Sequence, residues 1–164
     1  RAAANCAACG ASMLTVHAGG GRRMLEAAVQ GARQGAKLRP PEIVAVTVLT
    51  SLDRNALSEL EIDKSPADLV SARAELAAES GLDGVVASAR EAAALRKKCG
   101  EDFLIVTPGI RPASSAPDDQ RRVVTPAEAI RAGADILVVG RPITGADDLL
   151  ESAKSIVEEM ASAG

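Results

Sequence analysis

Short uncharged runs rich in Val, Ile and Leu recur along the chain, separated by longer stretches that mix apolar and charged residues. The runs cover residues 13–17, 43–49, 84–87, 103–107 and 136–139. Runs this short, without polar alternation, predict strands buried on both faces, as in a parallel sheet covered by helices. The stretches at 22–34, 66–80, 90–98, 126–132 and 147–161 predict the helices. In the last of these Leu149, Leu150, Ala153, Ile156, Val157 and Met160 form an apolar stripe of helical period.

The punctuation agrees with this alternation. Thr125-Pro126-Ala127-Glu128 combines an N-cap threonine, proline at the first helical position and a glutamate that closes a capping box. Ser65-Pro66-Ala67-Asp68 is a near copy. Gly10-Ala11-Ser12, Gly81-Leu82-Asp83 and Gly133-Ala134-Asp135 each stand before a predicted strand, where a glycine ends a helix and a short polar turn opens the next strand. The result is a βα unit repeated five times. Ahead of it the Ala-rich residues 1–9, stopped by Gly10, read as the last turns of an earlier helix, and suggest that a larger protein continues ahead of Arg1.

Five consecutive βα units fit either a doubly wound sheet or part of a (β/α)₈ barrel. The glycine-rich segment after the first strand, His17-Ala18-Gly19-Gly20-Gly21-Arg22, lacks the G-x-G-x-x-G spacing of a dinucleotide fold. A barrel of roughly 250 residues needs three more units than are present. The expected fold is therefore α/β, an incomplete (β/α)₈ TIM barrel, with residues 1–164 forming a single domain from its C-terminal part. Two open parallel edges would then invite pairing with another chain.

Composition narrows the function by exclusion. The net charge is −3, so no overall basic field attracts nucleic acid or an anionic membrane. One Phe and no Trp or Tyr leave no stacking platform for single-stranded nucleic acid. No apolar run approaches the roughly 20 residues of a membrane span, and residues 1–12 lack the charged-then-apolar order of a signal peptide. Three cysteines, Cys6, Cys9 and Cys99, cannot all pair within one chain, which fits a reducing cytoplasm.

The polar chemistry lies where the predicted strands end. Thr107-Pro108-Gly109-Ile110-Arg111-Pro112 and Gly140-Arg141-Pro142-Ile143-Thr144 each set a glycine near an arginine just past a strand. Glycine admits a ligand close to the backbone, a following helix N-terminus offers N–H groups, and arginine offers a fork of donors. The loops after strands seven and eight form the usual phosphate site of a barrel, and these two loops take those places if three strands precede. Between them residues 112–124 are long for a βα loop and read as a lid, with Gln120 as a donor. His17 at a strand end reads as a packed residue more readily than a catalyst. Cys6 and Cys9 lack the second pair of a metal site. Arg96-Lys97-Lys98 at a helix C-terminus reads as a solvated face. No strand carries Asp, Glu or Lys in its interior or at its C-terminal end, and the five lysines lie on helices and loops. The chain thus holds a binding half of a site and lacks an evident chemical half.

Five segments in order, 13–20, 46–51, 81–86, 106–112 and 138–144, resemble the bacterial orotidine 5′-phosphate decarboxylase family. The paired strings TPGIRP and VGRPIT, with a Gln between them, are its specific marks. The resemblance implies a dimeric (β/α)₈ barrel converting orotidine monophosphate to uridine monophosphate, without metal or organic cofactor. It implies phosphate contacts from Arg111, Gln120, Gly140 and Arg141, and a contact from Thr50 near the pyrimidine. The family's Asp-x-Lys-x-x-Asp motif, whose lysine protonates the carbon that loses carbon dioxide, does not occur here; the resemblance places it just ahead of Arg1. No catalytic residue is expected in this chain, and alone it is expected to be inactive. Two alternatives stand: a metal-dependent sugar-phosphate decarboxylase of the same suprafamily, and a non-catalytic phosphate-binding relative that pairs with another chain.

Overall fold

A computed structural model describes residues 1–112 and 124–163. Five strands, β1 (Met13–His17), β2 (Glu42–Val46), β3 (Gly84–Val86), β4 (Leu104–Thr107) and β5 (Ile136–Leu137), form one sheet in the order β1-β2-β3-β4-β5. Every neighbouring pair is parallel. A doubly wound sheet reverses its strand order at a switch point. This sheet never reverses, so consecutive units advance in one direction, as they do around a barrel.

The helices are α1 (Ala2–Ala8), α2 (Arg22–Gly35), α3 (Arg54–Glu59), α4 (Pro66–Glu79), α5 (Ala89–Cys99), α6 (Pro126–Arg131), α7 (Arg141–Thr144) and α8 (Leu149–Ala161), with a 3₁₀ turn at Ala18–Gly20. None of the described helices is long and apolar enough to cross a membrane. Both predicted helix starts are made as the sequence implies. Ser65 accepts from the Asp68 amide, and Thr125 and Glu128 form a reciprocal capping box. Two short helices, α3 and α7, depart from the expected pattern. Four to six residues are too few to show a helical period, although Asp53 caps α3 by accepting from Ala56 N–H at 3.0 Å.

Alternation along the strands sorts the core. Ile43 and Ala45 of β2, Val85 of β3 with the adjoining Ala87, and Ile105 of β4 with the adjoining Phe103 pack against Leu25 and Val29 of α2, Leu69, Val70, Ala74 and Ala77 of α4, and Ala92 and Leu95 of α5. A second, smaller cluster joins Ala89, Ile110, Ala129 and Ala134, with Val124, Leu137 and Val139 packed on it. The expectation that every strand is covered on both faces holds for the middle of the sheet and fails at its margins. Thr15 and His17 of β1 are exposed, and Ile136 and Val138 are 37% and 50% exposed. β1 and β5 each have one neighbour, so their inner faces lack the opposite wall that would bury them.

Three strands, β2, β3 and β5, also end earlier than their apolar runs. The ladder of β2 stops at Val46, while Val48 turns into the core and Leu49 is half exposed. Hydrophobicity marks burial, and burial continues past the last paired residue.

At the N-terminal ends of the strands the Gly-x-Asp joints act as clasps. The Asp83 carboxylate accepts from Ile43 N–H at 2.7 Å, and Asp83 N–H donates to the Ile43 carbonyl at 2.9 Å. Asp135 repeats both bonds on Ile105, at 2.7 and 3.0 Å. Arg96 corrects the expectation of a solvated basic face. Its side chain is 14% exposed. Its guanidinium faces the carbonyls of Gly100, Glu101, Phe103 and Gly133 at 2.8–3.0 Å and the Asp135 carboxylate at 2.6 Å. The loops entering β4 and β5 are joined through this one residue. Lys98 is also engaged, with Ser71 and Glu75 of α4.

Candidate functional site

The candidate residues gather at the opposite, C-terminal ends of the strands. Strand β4 leads directly into Pro108-Gly109, and Gly109 has φ +77°. Proline followed by a residue at positive φ is a turn that glycine alone adopts without strain. The turn brings Ile110 down into the smaller core cluster and leaves Arg111 buried beside it, at 7% exposure. Ile110 pairs with Val124 in a parallel bridge, and Arg111 N–H donates to the Val124 carbonyl at 3.1 Å. Residues 110 and 111 are thereby joined to Val124, and the capping box at Thr125 starts α6 immediately afterwards. Gln120, the expected lid donor, lies outside the described residues.

The second loop springs from the neighbouring strand. Val138 N–H donates to the Thr107 carbonyl at 2.8 Å, so the two chains run side by side up to their divergence. Gly140 then caps α7, and Arg141 is its first residue. No described atom lies within 4 Å of the place a Cβ on Gly140 would occupy. Packing within the chain does not require a glycine there, and open space above its backbone is what an approaching ligand needs. Arg141 is exposed. The expectation of several helix N–H groups is reduced. Ile143 and Thr144 donate to the Gly140 carbonyl at 2.9 and 3.0 Å, and Pro142 has no N–H. Backbone donation to a ligand at this loop falls to Gly140 and Arg141 at most.

Thr50 stands half-buried in the turn after β2. Leu52 N–H closes that turn on the Leu49 carbonyl at 2.9 Å, and Asp53 then caps α3. Strands are spaced by about 4.8 Å, so Thr50 lies roughly 14 Å along the sheet from the Arg141 loop, three strand steps away. The structure thus places Arg111, Gly140 and Arg141 on adjacent strand ends, with Thr50 on the same face at a distance. His17 ends β1 exposed at the sheet margin. Cys6 and Cys9 are free thiols on and just after α1. Among the described residues no three His, Cys, Asp or Glu side chains group as metal ligands.

Among the described residues, one buried polar group at the site has no hydrogen-bond partner. The Thr107 side chain is fully buried at the top of β4, and its Oγ1 makes no hydrogen bond. The Ile110–Val124 staple and this hydroxyl both escaped the sequence reading. The apolar Val123-Val124 pair at the end of a polar segment is the signal that could have found the staple. A cleft lined by Ala11, Lys37, Leu38, Arg39 and Pro40 lies at the N-terminal ends of β1 and β2.

Consecutive parallel βα units that advance without reversal define a class, the α/β proteins built on barrel topology. Residues 1–156 match the orotidine 5′-phosphate decarboxylase / HUMPS family, and the chain belongs to it. It is 56% identical over 155 residues to the orotidine 5′-phosphate decarboxylase of Moorella thermoacetica, a match covering 92% of this chain and 62% of that protein. The Chromohalobacter salexigens enzyme of the same name is 52% identical over 152 residues, covering 93% and 64%. The crystal structure of orotidine 5′-phosphate decarboxylase from Lactobacillus acidophilus superposes with a TM-score of 0.84 at 38% identity, covering 97% of this chain and 67% of that one. The chain spans less than two thirds of the length of these two curated relatives.

Proposed function

We propose that the protein to which this chain belongs is an orotidine 5′-phosphate decarboxylase, releasing carbon dioxide from orotidine monophosphate to give uridine monophosphate in pyrimidine synthesis. It acts in the cytoplasm as a homodimer and needs no cofactor. The observation that carries this reading is the pair of Gly-Arg loops on the adjacent ends of β4 and β5. In this reading one phosphate meets the Arg111 and Arg141 guanidinium groups, with the Gly140 backbone beside it. Gln120 adds an amide donor to that phosphate, and Thr50 meets the pyrimidine end of the nucleotide. This chain supplies the binding half of the site. The proton donor comes from an Asp-x-Lys-x-x-Asp segment outside these 164 residues.

The test is a decarboxylation assay on two proteins. The purified chain alone turns over no orotidine monophosphate, because no side chain at its site can deliver a proton to the reacting carbon. The chain joined to the part of the Moorella relative that it does not match turns over the substrate without added metal. Turnover by the chain alone contradicts the division into two halves. A joined protein that needs a metal and accepts a sugar phosphate instead supports the suprafamily alternative.

A further inference from the structure

Arg73 is a charged residue on the core-facing stripe of α4. It follows Leu69 and Val70 by four and three positions and precedes Ala77 by four, and those three are buried. An arginine on such a stripe must find partners for its guanidinium or lose more than its stem gains. Here Nη1 donates to the Thr47 carbonyl, the first residue beyond β2. Nη2 lies 3.5 Å from where a Cβ on Gly19 would stand, so the other edge of the fork rests on the 3₁₀ turn that follows β1.

Thr47 is held from the other side as well. Its N–H and its hydroxyl both donate to the Val86 carbonyl of β3, at 3.2 and 2.9 Å. The residue is 2% exposed. Beyond it the chain runs through Thr50 to Asp53, which is fixed by capping α3. The turn bearing Thr50 therefore hangs between two anchors, the α3 cap at its far end and the buried Thr47 peptide at its near end. Arg73 supplies the helix-side hydrogen bond of that near anchor and touches the β1 turn at the same time.

We propose that Arg73 is a positioning residue that sets the place of Thr50 for the pyrimidine end of the nucleotide. The proposal rests on the nucleotide reading given above for its ligand, and on the anchor geometry for its mechanism. Arg73 is three strands away from the β5 loop, so its effect is confined to the base end of the ligand.

The test uses Arg73→Met and Arg73→Lys. Amide exchange is followed across residues 48–53, and binding of uridine 5′-monophosphate is compared with binding of ribose 5-phosphate, which has the phosphate without the base. In Arg73→Met, exchange at 48–53 is expected to quicken, uridine monophosphate to bind about tenfold more weakly, and ribose 5-phosphate to bind unchanged. Arg73→Lys keeps a charged donor for the Thr47 carbonyl and recovers most of both effects. A general loss of structure would weaken both ligands alike, and that result overturns the proposal. Unchanged exchange at 48–53 overturns it too. If the unsubstituted protein binds neither ligand, the nucleotide reading fails, and with it the assignment of Thr50. The anchor is then judged by exchange alone, which must quicken at 48–53 and not along β3.

Discussion

The two ends of the sheet are built from similar residues and treat them in opposite ways. At the N-terminal ends Asp83 and Asp135 accept from strand amides, and Arg96 donates to carbonyls and to Asp135. At the C-terminal ends Arg141 is exposed, Gly140 faces open space, and Thr107 keeps a buried hydroxyl without a partner. An arginine that answers four carbonyls and a carboxylate serves stability, because removing it breaks several hydrogen bonds at once, two of them to part-buried carbonyls. Arg141 instead stands exposed on a strand-end loop, beside a glycine whose Cβ position is open. Residue type alone does not separate the two; the end of the strand on which a residue sits does.

The sharpest way to break this comparison is at Arg96. Arg96→Met keeps much of the stem and removes every hydrogen bond, leaving four carbonyls and Asp135 with unmet partners. A loss of about 3 kcal/mol in unfolding free energy is expected from denaturant titration. Nucleotide affinity of the folded fraction should not change. A loss below about 1 kcal/mol would mean that water replaces the guanidinium readily and that this end is less committed than its geometry indicates.

A smaller effect is expected at Thr125, where the C-terminal end does carry a structural bond. The Thr125 amide at 3.0 Å and its hydroxyl at 2.9 Å hold the Glu128 carboxyl below its ordinary value of 4.5. A carboxylate depressed on folding adds stability above its unfolded value and loses it as pH falls through the folded one. Thr125→Ala should cost about 1 kcal/mol near neutral pH. It should also flatten the fall in melting temperature between about pH 5 and pH 3. Because Glu128 is exposed, this acid-side change is slight, and a mutant whose pH profile runs parallel to the parent's would remove Glu128 from the explanation.

The smallest effect is expected at Thr107. Replacing its unpartnered hydroxyl by a methyl, Thr107→Val, removes a buried polar group that gains nothing from the fold. Stability should change by less than about 0.5 kcal/mol or rise. A loss of 2 kcal/mol or more would reveal a hydrogen bond that the geometry does not show.

Much of this architecture is legible in the sequence. Five apolar runs gave five strands, and Ser65, Thr125, Gly81 and Gly133 marked helix ends through chemistry that acts within four residues. Local chemistry also announced the Gly-Arg loops. What escaped depends on distant partners. Arg96 sits in a basic run, and nothing near it in sequence says that its side chain turns inward to Gly133 and Asp135. Arg73 was legible only as an arginine at a core spacing, since its reason, the Thr47 carbonyl, lies 26 residues away. The helices α3 and α7 are too short for a period to register. The open inner faces of β1 and β5 are invisible to a reading of one strand at a time, because burial of a strand is decided by its neighbours.

The central claim is that the loop after β5 recognises a phosphate. It is tested most directly by calorimetric titration of Arg141→Ala and its parent with uridine 5′-monophosphate and with uridine. A charge-assisted hydrogen bond to phosphate contributes about 1.5–3 kcal/mol. The substitution should therefore weaken the monophosphate at least tenfold and leave uridine unchanged. Equal weakening of both ligands, or an unchanged affinity for the monophosphate, would contradict the assignment and return Arg141 to the surface of a turn.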